Sequence, residues 1–292
     1  MTTGDFEDLR PRAFGIAYRM LSSVSDAEDV VQEAMIRLHR AVEAGKTIES
    51  PAAYLSTVVT RLAIDELRSA RARRETYVGE WLPEPVITGG DDDPALQAEI
   101  ADSLSMAFLV VLESLSPEQR AVFLLRDVFD YPYADVARIV GKSEPAVRQL
   151  AVRARRHVEE RRPRYEASPD RRDELARRFL AAAREGDVEQ LEALLAEDVV
   201  LHGDGGGKAP ALARPVHGNR RVARTFAAWV RAAQKLGVAD VRLVHVNGDP
   251  GAMTVDAEGR PIGVMAFGVT GDRVQEIWSV VNPDKLRHLV PR

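Results

Sequence analysis

Helical periodicity dominates the first part of the chain. Residues 5–75 place apolar side chains at helical spacing, and one buried stripe is predicted from Val31 to Val42. The run Ser25–Glu28 has the order of a capping box, so we predict that a helix begins behind Ser25. A second helix is predicted to start at Ser50-Pro51, because Pro is favoured at the first helical position.

Residues 76–104 have a different pattern. Trp81–Pro85 resists a helix because each Pro also restrains the residue before it, and Gly89–Pro94 is rich in turn formers. Residues 80–104 contain seven acids and neither Lys nor Arg. We predict an acidic interdomain linker over 77–104. A Trp within such a segment indicates that part of the linker docks on a folded surface.

Helical periodicity returns over residues 105–165. Ser116–Gln119 predicts a capped helix with Pro in its first turn. A short helix at Ala134–Val140, a turn at Gly141–Ser143 and a basic helix from about Pro145 follow. Two short helices joined by a Gly-containing turn are typical of a helix-turn-helix.

Residues 170–292 combine helices and strands. Two helices, at about 170–185 and 187–196, precede a predicted strand at Val199–His202, and a helix containing Phe226 follows. Helices followed by a meander predict an α+β domain. The meander is expected at Val241–Val246, Met253–Val255, Ile262–Val269 and Val274–Val281.

The net charge of −5 at first argues against a nucleic-acid partner. It is unevenly distributed, because residues 61–74 hold five Arg against two acids and residues 138–164 hold nine Lys or Arg against three. A bare charge run most often marks a solvated helix face. The helix-turn-helix context favours DNA contact for the second cluster, whereas helical context alone leaves both interpretations open for the first.

Other composition features exclude some classes of site. The chain has no Cys, so disulfides, thiolate metal sites and Cys nucleophiles are excluded. No apolar run reaches the roughly 20 residues of a membrane helix, and the acidic start has no signal-peptide core. We expect a cytoplasmic multi-domain protein that has no cofactor and no metal.

Two long motifs carry a resemblance to a known family. Asp26–Ala34 and Ala63–Ser69 resemble region 2 of extracytoplasmic-function (ECF) RNA polymerase sigma factors. Leu115–Leu125 and Gly141–Gln149 are similar to region 4 of the same family. Arg61 departs from the pattern, since many relatives have Asn there. The resemblance implies a transcription initiation factor rather than an enzyme, with RNA polymerase core and promoter DNA as partners.

The resemblance also implies roles for individual residues. Region 2 is expected to bind core polymerase and the −10 element, with a base pocket in the loop Glu43–Pro51, and region 4 to read the −35 element. The implied polymerase-binding residues are Asp26, Glu28, Asp29, Gln32 and Glu33, for which a solvated acidic face is the alternative. The implied DNA-binding residues are Arg61, Arg68, Arg71, Arg73, Arg74, Ser143, Glu144, Arg148, Gln149, Arg153, Arg155 and Arg156.

The C-terminal part resembles a SnoaL-like, ketosteroid-isomerase-like α+β cone. Three short motifs, Trp81–Pro85, Asp204–Lys208 and Asn282–Leu286, are similar to signatures of the sigma-factor subgroup with a fused SnoaL-like extension, which implies regulation of the sigma regions in cis. We expect Trp81 to anchor the linker in the cone. The implied regulatory contacts are Trp81, Leu82, Pro83, Asp204, Gly205, Gly206, Gly207, Lys208, Asn282, Pro283, Asp284, Lys285 and Leu286.

The predicted organisation is therefore two all-α sigma domains followed by an α+β cone. The boundaries are region 2 at 1–76, the linker at 77–104, the region 4 helix-turn-helix at 105–165 and the SnoaL-like domain at 170–292.

Two alternatives remain open. One is a one-component DNA-binding regulator whose cone senses a small molecule. The other is a SnoaL-like cyclase or isomerase fused to a DNA-binding module, with His202, Asp204, His217 and Trp278 as available groups. The glycine run before Lys208 is not a P-loop, because Ala209 stands where Ser or Thr is needed.

Overall fold

The computed structural model describes residues 3–74, 76–88, 104–161, 168–232, 235 and 237–290. The chain forms two compact units, each built from two stretches of sequence. The first comprises Met1–Thr76 and Phe108–Arg162, and the second comprises Tyr77–Ala107 and Pro163–Arg292. The described part of the predicted linker, residues 77–88, thus belongs to the same unit as the C-terminal domain.

The first unit is helical throughout its described residues. A short 3-10 helix at Thr3–Leu9 precedes three helices that pack on one another. Buried side chains of the second helix, among them Val31 and Leu38, recur at the predicted spacing. The three helices are α1 (Arg10–Leu21), α2 (Val24–Glu43) and α3 (Pro51–Arg74).

The predicted helix-turn-helix is confirmed in the same unit. Helix α4 (Met106–Glu113) leads to α5 (Pro117–Phe123), which is continued by a π-helical turn at Leu124–Val128. Helix α6 (Tyr133–Val140) ends at Gly141, whose φ of 70° is the left-handed conformation that glycine adopts without strain. Helix α7 (Glu144–Arg161) then buries Val147, Ala151, Ala154 and Val158.

The second unit is the predicted α+β domain. Helices α8 (Pro169–Glu185), α9 (Val188–Leu194) and α10 (Asn219–Ala232) cover the inner face of a seven-stranded sheet in the described residues. The strand order is β1-β4-β5-β6-β7-β2-β3. The strands are β1 (Ile87–Thr88), β2 (Leu195–Asp204), β3 (Val216–His217), β4 (Asp240–Val246), β5 (Asp249–Val255), β6 (Pro261–Thr270) and β7 (Arg273–Val280).

The strand order departs from a simple meander where β2 joins β7. Strands β4 to β7 pair antiparallel in sequence order as predicted, but β2 lies parallel to β7, with His202 opposite Trp278 and Asp204 opposite Val280. The helix α10 between β2 and β4 allows the early strand to return beside the last one. The predicted helix over 187–196 is also shorter, because strand β2 already begins at Leu195.

Aromatic packing forms the core of this domain. The Phe179 ring lies 4.9 Å from Phe226 and 5.4 Å from Phe267, which joins two helices to the sheet. Alternation along β7 directs Ile277 toward this core and Trp278 toward the opposite, outer face. A C-terminal 3-10 helix at Pro283–Leu289 packs against β6.

Candidate functional site

The acidic candidate surface lies on helix α2. Its cap differs from the predicted one, because Ser23 accepts the hydrogen bond from the Asp26 backbone N–H at 3.2 Å and Ser25 lies inside the helix. Ser25 stands three residues before Glu28, as a capping box requires, but the helix begins two residues before the predicted start. Glu28, Asp29 and Gln32 are exposed on this helix, whereas Asp26 and Glu33 are half-buried.

The candidate −10 segment on α3 is partly engaged by region 4. Arg61 donates from Nε to the carbonyl of Ile139 and from Nη2 to that of Arg138, both at 2.9 Å. Arg68 donates to Glu118 on α5 at 2.6 Å. The side chains of Arg71, Arg73 and Arg74 lie outside the described residues. The loop predicted as a base pocket connects α2 to α3, and Ser50 caps α3 through the Ala53 N–H.

Two further residues join region 2 to region 4 and were missed by sequence reasoning. Arg120 is almost fully buried and donates from Nη1 to the carbonyl of Met20 at 2.7 Å and to Glu113 at 2.8 Å. Burial lowers the pKa of Arg120 to about 9, which leaves the guanidinium charged at neutral pH. The hydroxyl of Tyr131 donates to Ser56 at 2.8 Å. An Arg within the region 4 motif is the only sequence signal for this contact.

The candidate −35 helix α7 presents its polar face as predicted. Ser143, Arg148, Gln149, Arg153 and Arg156 are exposed. Glu144 pairs with Arg148, whose guanidinium also lies 4.2 Å from the Tyr133 ring centroid. Arg155 is directed elsewhere: it donates to Asp127 at 2.6 Å and to the Tyr133 hydroxyl at 3.2 Å. Arg155 thereby joins α7 to the π-helical turn and to α6.

A buried carboxylate in the second unit holds the start of the linker. Asp204, at the end of β2, is fully buried and accepts three hydrogen bonds. The donors are the Tyr77 hydroxyl at 2.5 Å, the Leu82 backbone N–H at 2.9 Å and Lys285 Nζ at 2.7 Å. We call this set of contacts the linker lock. The lock satisfies a carboxylate that would otherwise be buried at high cost.

Lys285 is the cation of the linker lock. Its Nζ also donates to the Leu82 carbonyl and lies 3.9 Å from the Trp81 ring centroid. Asn282 donates to the Tyr77 hydroxyl at 2.8 Å and caps the 3-10 helix through the Asp284 N–H. Burial and the hydrogen bond to Asp204 raise the pKa of Tyr77 above its usual range, so its hydroxyl stays a donor.

The glycine segment after Asp204 allows close approach. Gly206 has φ 58°, and a Cβ there would lie 2.2 Å from Asn282 Nδ2 and 3.0 Å from the Tyr77 hydroxyl. A Cβ at Gly207 would meet Val78 at 3.1 Å. The next residue, Lys208, pairs with Asp284. The structure therefore brings the three predicted motifs together, with Leu82, Pro83, Lys285 and Leu286 buried and Pro283 exposed beside them.

The linker continues as an added strand, which sequence reasoning did not anticipate. Strand β1 pairs antiparallel with β4, with Ile87 opposite Val246. The buried Asn247 accepts from the Val86 N–H at 3.0 Å and donates its own N–H to the Val86 carbonyl at 2.8 Å. A strand of two residues is too short to show the alternation of apolar and polar side chains from which strands are predicted.

The groups considered for catalysis do not converge on a cavity. The Nδ1 atom of His202 lies within hydrogen-bond distance, 2.8 Å, of Oε1 of the linker residue Glu80. The His202 ring stacks on Trp278 on the outer face of the sheet. Asp204 belongs to the linker lock, and His217 is exposed on β3. The apolar cavity of this domain is lined by other residues.

Among the described residues, no helix combines the length and apolar character needed to cross a bilayer. Within the same residues, no group of three or more His, Asp or Glu side chains is arranged to hold a metal ion.

Family comparisons agree with the three predicted regions. Residues 6–73 match the family described as Sigma-70 region 2, residues 105–158 match Sigma-70 region 4, and residues 176–282 match the SnoaL-like domain. The chain is 41% identical over 293 residues to the ECF RNA polymerase sigma factor SigJ of Mycobacterium tuberculosis, covering 98% of this chain and 93% of that protein. The chain belongs to the ECF RNA polymerase sigma factors.

Further similarity supports this assignment for the sigma factor. The crystal structure of M. tuberculosis SigJ superposes with a TM-score of 0.79 at 38% identity and covers 98% of both chains. The probable ECF sigma factor SigI of M. tuberculosis is 35% identical over 178 residues, 60% of each chain. The predicted architecture, two helical sigma domains and a SnoaL-like α+β domain, is thereby confirmed, and the protein is an alternative sigma factor with a SnoaL-like extension.

Proposed function

We propose that this sigma factor recruits RNA polymerase core to promoters and that its non-catalytic SnoaL-like domain regulates it in cis by holding the linker. The observation that carries the regulatory part is the buried Asp204 carboxylate, whose three donors include two linker residues, Tyr77 and Leu82. Undocking the linker would remove two of the three donors from this buried carboxylate, so the linker and the domain are held together.

The polymerase and promoter contacts follow from the exposed faces. The exposed acids of α2 suit a basic partner surface, and the exposed polar residues of α7 suit the major groove and its phosphates. Arg61 and Arg68 are bound to region 4 in this conformation. For promoter binding, we propose that these arginines exchange carbonyl and carboxylate partners for DNA.

Linker length gives the regulation a physical basis. A free linker over 77–104 can extend to about 95 Å, whereas in one anchored through Thr88 the docked part has a fixed span and only the last 16 residues, about 55 Å, can still extend. An intact linker lock therefore restricts the separation of the two promoter-reading regions.

Transcription in vitro with purified core polymerase tests both parts. The full-length sigma factor should direct initiation from its cognate promoter, and failure to do so would refute the recruitment proposal. Asp204→Asn keeps the shape of the carboxylate but removes its charge, so it should change the amount of transcript. Asp272→Asn, which breaks an exposed pair with Arg171 outside the three motifs, is the matched control and should leave it near wild type. Equal output from all three proteins would refute regulation through the linker lock.

A further inference from the structure

An apolar cavity of about 170 Å³ lies inside the SnoaL-like domain. Helices α8 and α10 form one wall, the inner face of the sheet forms another, and the loop after the glycine segment closes one side. Representative lining residues are Leu180, Leu212, Phe226, Trp229, Met265 and Val281.

The chemistry of the walls selects an uncharged occupant. Among the described residues that line the cavity, none is Asp, Glu, His or Lys. The single guanidinium, Arg184, donates to the Val241 carbonyl, and the Thr254 hydroxyl donates to the Gly263 carbonyl at 3.2 Å. A charged group would lose its hydration in a lining that is otherwise almost entirely apolar, and the one cation there, the exposed Arg184, already donates to a backbone carbonyl, whereas an apolar ligand gains buried area.

The volume sets the size of the occupant. An apolar cavity of about 150 Å³ in another protein stays dry and binds benzene. A space of about 170 Å³ thus fits a molecule of one or two rings. This is smaller than a typical drug-sized site.

The cavity and the linker lock occupy opposite faces of the same two strands. Gly203 and Ser279 line the cavity, while the next residues, Asp204 and Val280, point to the outer face where the linker lies. Val281 also lines the cavity, and its backbone N–H donates to the Asp204 carbonyl at 2.8 Å. A shift of the ends of β2 and β7 caused by an occupant of the cavity is therefore expected to displace the linker lock on the opposite face.

The closing loop makes a second connection. Leu212 lines the cavity and packs on Gly203, where an added Cβ would lie 3.1 Å from Leu212 Cβ. Ala211, beside it, would be 2.8 Å from a Cβ on Gly205, the first glycine of the segment that contacts Asn282 and Val78. The loop that closes the cavity is thus continuous with the segment that grips the linker.

We propose that this cavity binds a small, uncharged, apolar molecule of one or two rings, and that occupancy stabilises the linker lock. The binding part stands on the cavity alone, and the coupling part rests on the proposed function. Coupling is reciprocal, because a ligand that favours the locked state must itself bind more tightly to that state.

Calorimetric titration of the full-length protein with toluene and with naphthalene tests binding. We expect saturable binding of at least one of them at one molecule per chain, and no binding of benzoate, which has similar size but carries a charge. Absence of saturable binding for both hydrocarbons, or equal binding of benzoate, would overturn the site.

Cavity-filling variants localise the binding. Ser279→Leu and, independently, Leu212→Trp add volume to the cavity and should weaken hydrocarbon binding by about tenfold or more. Ala228→Leu adds similar volume on the exposed side of α10 and should bind as wild type. Circular dichroism shows whether each variant is folded. If Ser279→Leu in the sheet does not fold, Leu212→Trp in the loop still tests the site. Unchanged binding in a folded filled variant would overturn the assignment to this cavity.

Hydrogen exchange tests the coupling. The Leu82 amide, which donates to Asp204, should exchange about tenfold more slowly at a hydrocarbon concentration about ten times its Kd. Binding that leaves Leu82 exchange unchanged would overturn the coupling and retain the site. Failure of the proposed function has a different signature, because it appears as unchanged transcription in Asp204→Asn whether or not hydrocarbon binds.

Discussion

Two contacts in this sigma factor differ in how deeply their charged groups are buried. Several hydrogen bonds between region 2 and region 4, within the first unit, come from arginines that donate to backbone carbonyls or to partly exposed acids, as Arg61 and Arg68 do. The linker lock, within the second unit, buries an ion pair whose side chains are 0% exposed at Asp204 and 6% exposed at Lys285.

The difference indicates which contact is built to open. Water or DNA phosphate can replace a carbonyl as the partner of an exposed guanidinium at little cost. Even the buried Arg120 keeps Glu113 of its own region when it loses the Met20 carbonyl. Separating Asp204 from its donors leaves an uncompensated buried charge. We infer a region contact that opens readily and a linker lock that needs a specific trigger.

The largest expected effect is at Asp204. Asp204→Ala leaves Lys285 Nζ and the Leu82 N–H without their buried acceptor, so the free energy of unfolding of the C-terminal domain should fall by about 3–5 kcal/mol. Urea denaturation followed by tryptophan fluorescence measures it. Asp284→Ala breaks an exposed pair with Lys208 and should cost only about 0–1 kcal/mol. Equal losses in the two variants would contradict the comparison.

Trp81 should show the next largest effect. Trp81→Ala removes the ring that lies over Lys285 Nζ, so docking of the linker should weaken by about 1–2 kcal/mol. Limited proteolysis of the linker and promoter output in vitro both report it. Trp81→Phe retains an aromatic face, so its docking of the linker should be intermediate between that of the wild type and that of Trp81→Ala. Promoter output unchanged in Trp81→Ala would remove Trp81 as the anchor of the regulatory contact.

Arg61 sharpens the comparison on the side of the region contact. Arg61→Ala removes two hydrogen bonds to the end of α6 and should shift the equilibrium toward separated regions by about fivefold, or roughly 1 kcal/mol. Arg61→Lys keeps the charge but loses the planar fork and should recover only part of this.

Energy transfer between two fluorescent labels can measure that shift. The chain contains no Cys, so Ile36→Cys and Val152→Cys, both at exposed positions, provide unique labelling sites. Equal transfer efficiency in the wild type and in Arg61→Ala would show that Arg61 does not hold the regions together.

The smallest effect is expected at the Arg68–Glu118 pair, because the Arg68 side chain is 57% exposed. The hydrogen bond from Arg68 lowers the pKa of Glu118 below its ordinary value of 4.5. A lowered carboxylate pKa gives stabilisation that is present above 4.5 and lost as the pH falls through the folded value.

The same labels test this pair. The regions should separate more as the pH falls below about 4.5 and as salt rises, and Glu118→Gln should flatten both dependences. A wild-type response identical to that of Glu118→Gln would assign the dependence to other groups.

Local patterns predicted the elements well where the signal was strong and local. The capping box at Ser116, the glycine turn at Gly141 and the apolar stripe of α7 are confirmed. The cap of α2 was predicted at Ser25 and lies at Ser23, because two Ser residues compete and the path of the preceding turn decides between them. The family resemblance identified the motifs in the linker and in the SnoaL-like domain, but the regulatory roles of their individual residues remain predictions.

The sequence by itself determined the helical regions, the α+β class, the family and the set of motifs, because these depend on periodicity, caps and short-range patterns. Only the tertiary structure decided the partners: the parallel return of β2 beside β7, the added strand β1 and the convergence of Tyr77, Leu82 and Lys285 on Asp204. Such contacts join residues up to about 200 positions apart. Which carboxylate is buried, and which cation neutralises it, follows from how the sheet closes rather than from any local run of residues.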